Sequence, residues 1–198
     1  MKKVISLSLV LMAILAFSFK KGGYEVGDKA TDFSLKNVNG KMISMNSYED
    51  AKGFMIIFTC NTCPYSVAYE DRIIALHQKY VDKGVPVIAI NPNDDEKSPD
   101  DSYEKMIVRA KEKGFPFPYV YDETQEITKA YGATNTPHVY VLDADKTVIY
   151  IGAIDNNTKS AENADKKYVE DAVDALLKGS EVPEKKTKAI GCTIKWAS

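Results

Sequence analysis

The chain has 198 residues, 44% of them hydrophobic and 27% charged, which is enough to bury one sizeable core and predicts a single globular domain with appendages. The formal net charge of -2 comes from 26 basic and 28 acidic residues interspersed along the sequence. No arginine-rich or lysine-rich face is evident, so nothing argues for a nucleic-acid partner.

Met1-Lys2-Lys3 followed by the apolar run Val4 to Phe19 has the basic start and the apolar length of an export signal. Small residues at Ala16 and Ser18 predict cleavage after Ser18, so that residues 1–18 are the signal peptide, 19–180 the domain and 181–198 a C-terminal tail. Loss of Lys2 and Lys3 leaves 24 basic and 28 acidic residues, a charge of -4. An uncleaved N-terminal anchor is the alternative. Export, periplasmic or secreted, would put the thiols where disulfides persist.

Asp32 to Ser44 reads as a hairpin centred on Asn39-Gly40, with a two-residue turn. Phe54 to Phe58 is short and wholly apolar, as in a parallel strand covered on both faces. A helix is expected from Pro64 to Lys83, with Tyr65, Tyr69, Ile73, Leu76 and Tyr80 as its apolar stripe and Gly84 as its stop. Val85 to Ile90 is the next strand. Ser98-Pro99-Asp100-Asp101 resembles a cap opening a helix that runs to Gly114. Phe117 to Tyr121 follows as a short strand, and Asp122 to Gln125 fits a capping box for a helix ending at Tyr131-Gly132. His138 to Leu142 and Thr147 to Ile151 flank a turn, and a last helix covers Asn163 to Lys178. This order predicts an α/β fold, a central mixed sheet with helices on both faces.

Chemistry concentrates at Thr59-Cys60-Asn61-Thr62-Cys63-Pro64. Two cysteines at this spacing, between a buried strand and a helix, signal redox function rather than metal binding. A zinc site needs four ligands, and only Cys192, His77 and His138 remain. His77 falls within the helix pattern and reads as a surface or boundary residue. A thiol at a helix start feels the positive end of the peptide dipoles, which favours thiolate. In Asn135-Thr136-Pro137-His138 a proline stands just before a strand, where the Thr136-Pro137 bond is either cis or that of an ordinary trans proline at a strand start. The cis form would turn backbone groups of Thr136 toward the cysteines.

Taken together, these motifs resemble the thioredoxin-fold superfamily and, within it, the redoxin branch that includes TlpA- and ResA-like oxidoreductases and AhpC/TSA peroxiredoxins. Val26 to Phe33 is similar to the branch's opening phrase, with Thr31 where proline is usual, and Thr136-Pro137 with Val139 to Leu142 resembles its cis-proline strand. The resemblance covers roughly Tyr24 to Lys178 and implies a thioredoxin-like fold with an N-terminal hairpin. It implies that Cys60 is the attacking thiolate, that Cys63 is the more buried resolving thiol, and that Thr136 and Pro137 bind the substrate. Thiol-disulfide exchange with protein substrates is the implied activity, with no cofactor or metal. A reductase in an oxidising compartment needs electrons from elsewhere, which makes a membrane-bound thiol the expected donor.

Departures from thioredoxin are Thr59 in place of tryptophan, Asn61-Thr62 in place of Gly-Pro, and no acid in the Phe54 to Phe58 strand to act as base for Cys63. Two other readings stay open. A peroxiredoxin-like alignment makes Cys63 the peroxidatic thiol, although Cys60 then stands where that pattern has threonine and Ile56 where it has proline. A Sco-like copper protein would use the two cysteines and His138. Cys192, in Gly191-Cys192-Thr193-Ile194-Lys195-Trp196, is either a third participant in exchange, a partner for an intermolecular bond, or a buried residue of a tail docked by Ile194 and Trp196.

Overall fold

The computed structural model describes residues 22–198, and the expected export signal and its cleavage point lie outside them. Its centre is the strand β3 (Gly53–Phe58), buried at every position. It pairs in parallel with β4 (Val87–Asn91), which pairs in parallel with β5 (Tyr119–Tyr121). On the other side β3 meets β7 (His138–Asp143) antiparallel, and β7 meets β8 (Val148–Gly152). The hairpin β1 (Leu35–Asn37) and β2 (Met42–Ile43) completes a seven-stranded mixed sheet in the order β2-β1-β5-β4-β3-β7-β8.

Alternation along β3 divides the core between the two faces of the sheet. Met55 and Ile57 pack with Tyr69, Ile73 and Leu76 of α1 (Pro64–Tyr80), Met106 of α2 (Tyr103–Lys113) and Val169 and Val173 of α4 (Tyr168–Lys178). Phe54, Ile56 and Phe58 pack with Tyr131 of α3 (Glu126–Tyr131) and with Tyr140. Each large side chain so buried contributes about 1.5–3 kcal/mol. The register of β3 on β7 fixes where the chemistry falls. Phe58 stands opposite His138, so the next residues along β3 run out beside the residues that precede β7. Cys60 and Thr136 meet there.

Several expectations are corrected in detail. The hairpin closes on the three residues Val38 to Gly40, with Asn37 N-H donating to Lys41 O and Gly40 at φ 81, rather than on a two-residue turn. Tyr65 is 40% exposed, and the buried apolar stripe of α1 begins at Tyr69. The helix expected from Pro99 is broken: a single 3-10 turn, Pro99–Asp101, is separated from α2 by the extended Ser102, because the Asp101 side chain is drawn inward. No capping box forms at α3. Asp122 accepts from the N-H and hydroxyl of Thr128, whereas Gln125, at φ 58, sends its amide to Pro92 O and Lys195 O. The last helix starts at Tyr168, since the segment before it is held in a loop by Asn156, which pairs with the backbone of Lys166 in both directions. His77 is buried, its Nδ1 accepting from Val87 N-H and its ring against Phe117.

Candidate active site

The turn that carries the two cysteines leaves β3 at Thr59, whose N-H still donates to Ile90 O, and enters α1 at Pro64. Cys63 is the extended residue just before the helix, and proline suits the first helical position because its missing N-H would have had no partner there. Both thiols are free and each is 4% exposed. The Thr136-Pro137 bond is cis. Cys60 Sγ lies 3.2 Å from Thr136 Oγ1, and Cys63 Sγ lies 3.1 Å from Thr136 O. The four residues singled out in the sequence, Cys60, Cys63, Thr136 and Pro137, therefore converge.

A further residue joins them from outside the motif. Asp101 Oδ1 accepts the N-H of Asn61 at 2.8 Å, and its Oδ2 accepts from Thr62 Oγ1, Asn93 Nδ2 and Ser98 Oγ at 3.1, 2.7 and 2.7 Å. Asn61 is held twice more, its amide donating to Asp100 O and its Oδ1 accepting from the Tyr119 hydroxyl. Asp101 is completely buried, so a carboxylate with four donors is the satisfied form of a group that would otherwise be costly there. In the sequence alone Asp101 falls within an expected helix cap. The signal that could have found it is position: Asn91 ends β4, and Asn93 and Asp101 follow it, at the carboxyl end of a strand where α/β sheets collect functional groups.

Cys192 also reaches the site. The strand β6 (Asn135–Thr136) pairs antiparallel with β9 (Cys192–Thr193), Thr136 opposite Cys192, and the N-H of Cys192 donates to Cys63 Sγ at 3.3 Å. The tail is fastened on both sides of this point. Before it, Lys186 bridges Ile151 and Asn135 Nδ2 donates to Gly191 O; after it, Ile194 is buried and Lys195 N-H donates to Asn93 Oδ1. Trp196, which one of the readings of the tail docks beside Ile194, is 40% exposed.

The two thiols stand in different electrostatic surroundings. Cys63 is pulled down to about 4, chiefly because the Cys60 thiol donates to it, with further donors from the thiol and N-H of Cys192 and the Ser66 amide, all against the effect of burial. Cys60 is pushed well above the ordinary thiol range by serving as that donor, by burial and by the nearby Asp101 charge. With the tail docked, the donors around Cys63 and the Asp101 charge beside Cys60 favour charge on Cys63. One contact pulls the other way: Thr136 O suits a protonated Cys63, and the Thr136 hydroxyl then faces a Cys60 thiolate. The remaining proton has two seats, and the Cys192 donors and Asp101 bias it toward Cys60.

His138 is bonded outside this cluster, with its ring against Tyr140. Its Nδ1 accepts from Thr134 N-H, and burial, with a smaller effect of Lys186, holds it near 4 and neutral. Among the described residues no three His, Cys, Asp or Glu groups converge as metal ligands. Both arginines of the chain are engaged elsewhere, Arg72 with Asp155 at 2.6 Å and Arg109 in a two-pronged pair with Glu70 at 2.7 Å.

The AhpC/TSA family profile matches residues 26–151. The chain belongs to the AhpC/TSA family. Within this thioredoxin-like redoxin group it is 28% identical over 150 residues to thiol-disulfide oxidoreductase ResA of Bacillus thuringiensis subsp. konkukian, covering 71% of this chain and 80% of the relative. An uncharacterized conserved protein from Geobacillus kaustophilus shares 40% identity at a TM-score of 0.82, covering 87% of this chain and 93% of that one. A putative thioredoxin from Neisseria meningitidis, 23% identical with a TM-score of 0.60 over 77% of this chain and 93% of its own, shares the fold. The family match ends at Ile151, so the tail that supplies Cys192 lies beyond it.

Proposed function

We propose that this AhpC/TSA family member is a thiol-disulfide oxidoreductase that cycles between a Cys60-Cys63 disulfide and the dithiol while reducing or oxidising protein substrates. The observation that carries the reading is the convergence of both sulfurs on Thr136 at the start of α1. The name of the ResA relatives supports the same class of reaction. In the reducing direction Cys60, once its proton has moved to Cys63, attacks a substrate sulfur and expels the other as thiolate. Cys63 then gives up that proton and attacks Cys60 Sγ, releasing the reduced substrate and closing the internal disulfide. Thr136 and Pro137 bind the substrate backbone. Support for this role is the antiparallel strand that the Thr136 edge already accepts.

The basic and apolar opening of the sequence supports export, with the signal removed after Ser18. A reductase in an oxidising compartment needs electrons from elsewhere, and a membrane-bound thiol protein is the proposed donor.

A thiol peroxidase centred on Cys63 is the second reading, favoured by the depressed Cys63 thiol. Against it, neither arginine is free to stabilise the hydroxide that leaves a peroxide. Insulin reduction with dithiothreitol and hydrogen peroxide consumption, measured side by side on the wild type, Cys60→Ser and Cys63→Ser, separate the two. Loss of insulin turnover in both variants with negligible peroxide consumption is expected. Peroxide turnover that survives Cys60→Ser but not Cys63→Ser would overturn the assignment.

A further inference from the structure

The strand that a substrate would add to Thr136 is already present, and the chain itself supplies it. β9 pairs with β6 in antiparallel register, and the approach is so close that a Cβ on Gly191 would lie 2.1 Å from Thr136 O. The residue next to that glycine is a cysteine, and its N-H points at the sulfur of Cys63. Extended backbone on Thr136 with a sulfur beside the reactive pair is the arrangement expected of a bound disulfide substrate, formed here within one molecule.

We propose that Cys192 is a third exchange thiol, seated by the tail so that it attacks Cys63 and converts the Cys60-Cys63 disulfide into a Cys63-Cys192 disulfide. The inference rests on the exchange reading of the Cys60-Cys63 pair and adds a second resting place for the same two oxidising equivalents. Cys192, as thiolate, attacks Cys63 Sγ. The Cys63-Cys192 bond forms, the Cys60-Cys63 bond breaks with its electron pair on Cys60, and Cys60 takes up the proton that Cys192 gave. No electrons enter or leave, so no outside oxidant or reductant is needed for the rearrangement. Attachment to the same chain makes the step intramolecular, which favours it over attack by free thiols.

The two isomers differ in what they offer. The Cys60-Cys63 form leaves the tail tethered only by hydrogen bonds and packing, and a substrate strand can displace it. The Cys63-Cys192 form straps β9 across Thr136 and frees Cys60. Cys192 is already held against Cys63 in the reduced protein, where its N-H donates to Cys63 Sγ at 3.3 Å, and burial first, then the neighbouring Cys63, raise its own thiol to about 11.

The test uses the whole chain as wild type, Cys60→Ser, Cys63→Ser and Cys192→Ser, each reduced, oxidised with diamide, quenched in acid, blocked with N-ethylmaleimide and mapped by mass spectrometry without reduction. The Cys60→Ser protein is expected to lose both free thiols as a monomer and to yield the peptide linked through Cys63 and Cys192. Oxidised wild type is expected to contain the same linked peptide beside the Cys60-Cys63 form, and both Cys63→Ser and Cys192→Ser are expected to lack it. Two blocked thiols in oxidised Cys60→Ser, or intermolecular dimers alone, with no Cys63-Cys192 peptide in the wild type, overturns the proposal. Insulin turnover by the wild type, read in parallel, keeps the two failures apart. Turnover without the linked peptide sinks the third thiol alone, whereas no turnover sinks the exchange reading and this inference with it.

Discussion

The carboxylate of Asp101 accepts the backbone N-H of Asn61 at 2.8 Å, so the turn between the two cysteines hangs from a residue 40 positions away. Three other donors share that carboxylate, from Thr62, Asn93 and Ser98. Asp101→Ala leaves them without an acceptor in a buried place and is expected to cost about 2–4 kcal/mol in urea unfolding. Asp101→Asn keeps the shape but turns a donor toward donors, and a smaller loss is expected. Because the Asp101 charge helps hold Cys60 protonated, Asp101→Asn should also lower the Cys60 pKa, read as faster alkylation of Cys60 at mildly alkaline pH. Wild-type stability and alkylation rates in both variants would contradict the role given to this carboxylate.

The thiols predict a particular dependence on pH. Cys63, depressed to about 4 against an ordinary thiol near 8.5, should alkylate at a rate that is flat from neutral to mildly acid pH and falls by half near pH 4. For stability, a depressed group contributes fully above its unfolded pKa of about 8.5 and loses that contribution as pH falls toward about 4. Cys60 is raised, so its contribution is complete below about 8.5 and is lost as pH climbs beyond. The stability contributed by the reduced pair should therefore peak near pH 8.5. Comparing reduced wild type with the Cys60→Ser, Cys63→Ser double variant from pH 4 to 10 checks this, and parallel curves would refute it.

How much of this was legible depends on the range of the interactions. Phe54 to Phe58 announced a central strand because burial on both faces demands an apolar run, and Cys60-x-x-Cys63 with Pro64 announced a helix start because spacing and proline are local signals. Asp101 was not legible as part of the site. Its four donors come from three separate turns of chain, and local sequence offered it only the role of a cap. The same holds for Gln125, whose amide left its own helix to bind Pro92 and Lys195. Cys192 was visible as an odd cysteine, but its partner could be read only after β9 was seen lying on β6. The same holds for the charge on the pair: helix position alone points to Cys60, whereas the N-H that donates to Cys63 comes from the tail and is visible only in the fold.

Thr136 makes two separable contributions. Its hydroxyl, 3.2 Å from Cys60 Sγ, favours a Cys60 thiolate, and its backbone carries the strand edge. Thr136→Val keeps the branched shape and the backbone but removes the hydroxyl. Insulin turnover at neutral pH is expected to fall roughly tenfold or more, the worth of a charge-assisted hydrogen bond of about 1.5–3 kcal/mol, and the loss should shrink as pH rises. The urea midpoint should move little. An unchanged rate at neutral pH would remove the hydroxyl from the account.

Gly191→Ala tests the seat of the tail directly. The added carbon would meet Thr136 O at 2.1 Å, the Thr136 carbonyl carbon at 2.5 Å and Pro137 N at 3.0 Å. All three are backbone atoms, and none of them turns aside as a flexible side chain would. The tail must lift, which breaks the pairing of β9 with β6, the bond from Asn135 to Gly191 O and the donation from Cys192 N-H to Cys63. A stability loss of about 1–3 kcal/mol is expected for an overpacked contact of this kind. Alkylation of Cys192 at neutral pH should become faster, since its thiol is no longer held against the site. The pH at which Cys63 alkylation is half-maximal should move up from about 4, because two of the donors that hold the charge have gone. The proton then passes more readily from Cys60 to Cys63, and turnover with a small disulfide should rise while the protein unfolds at lower urea. Should stability and all three thiol reactivities match the wild type, the tail does not sit on Thr136 in solution.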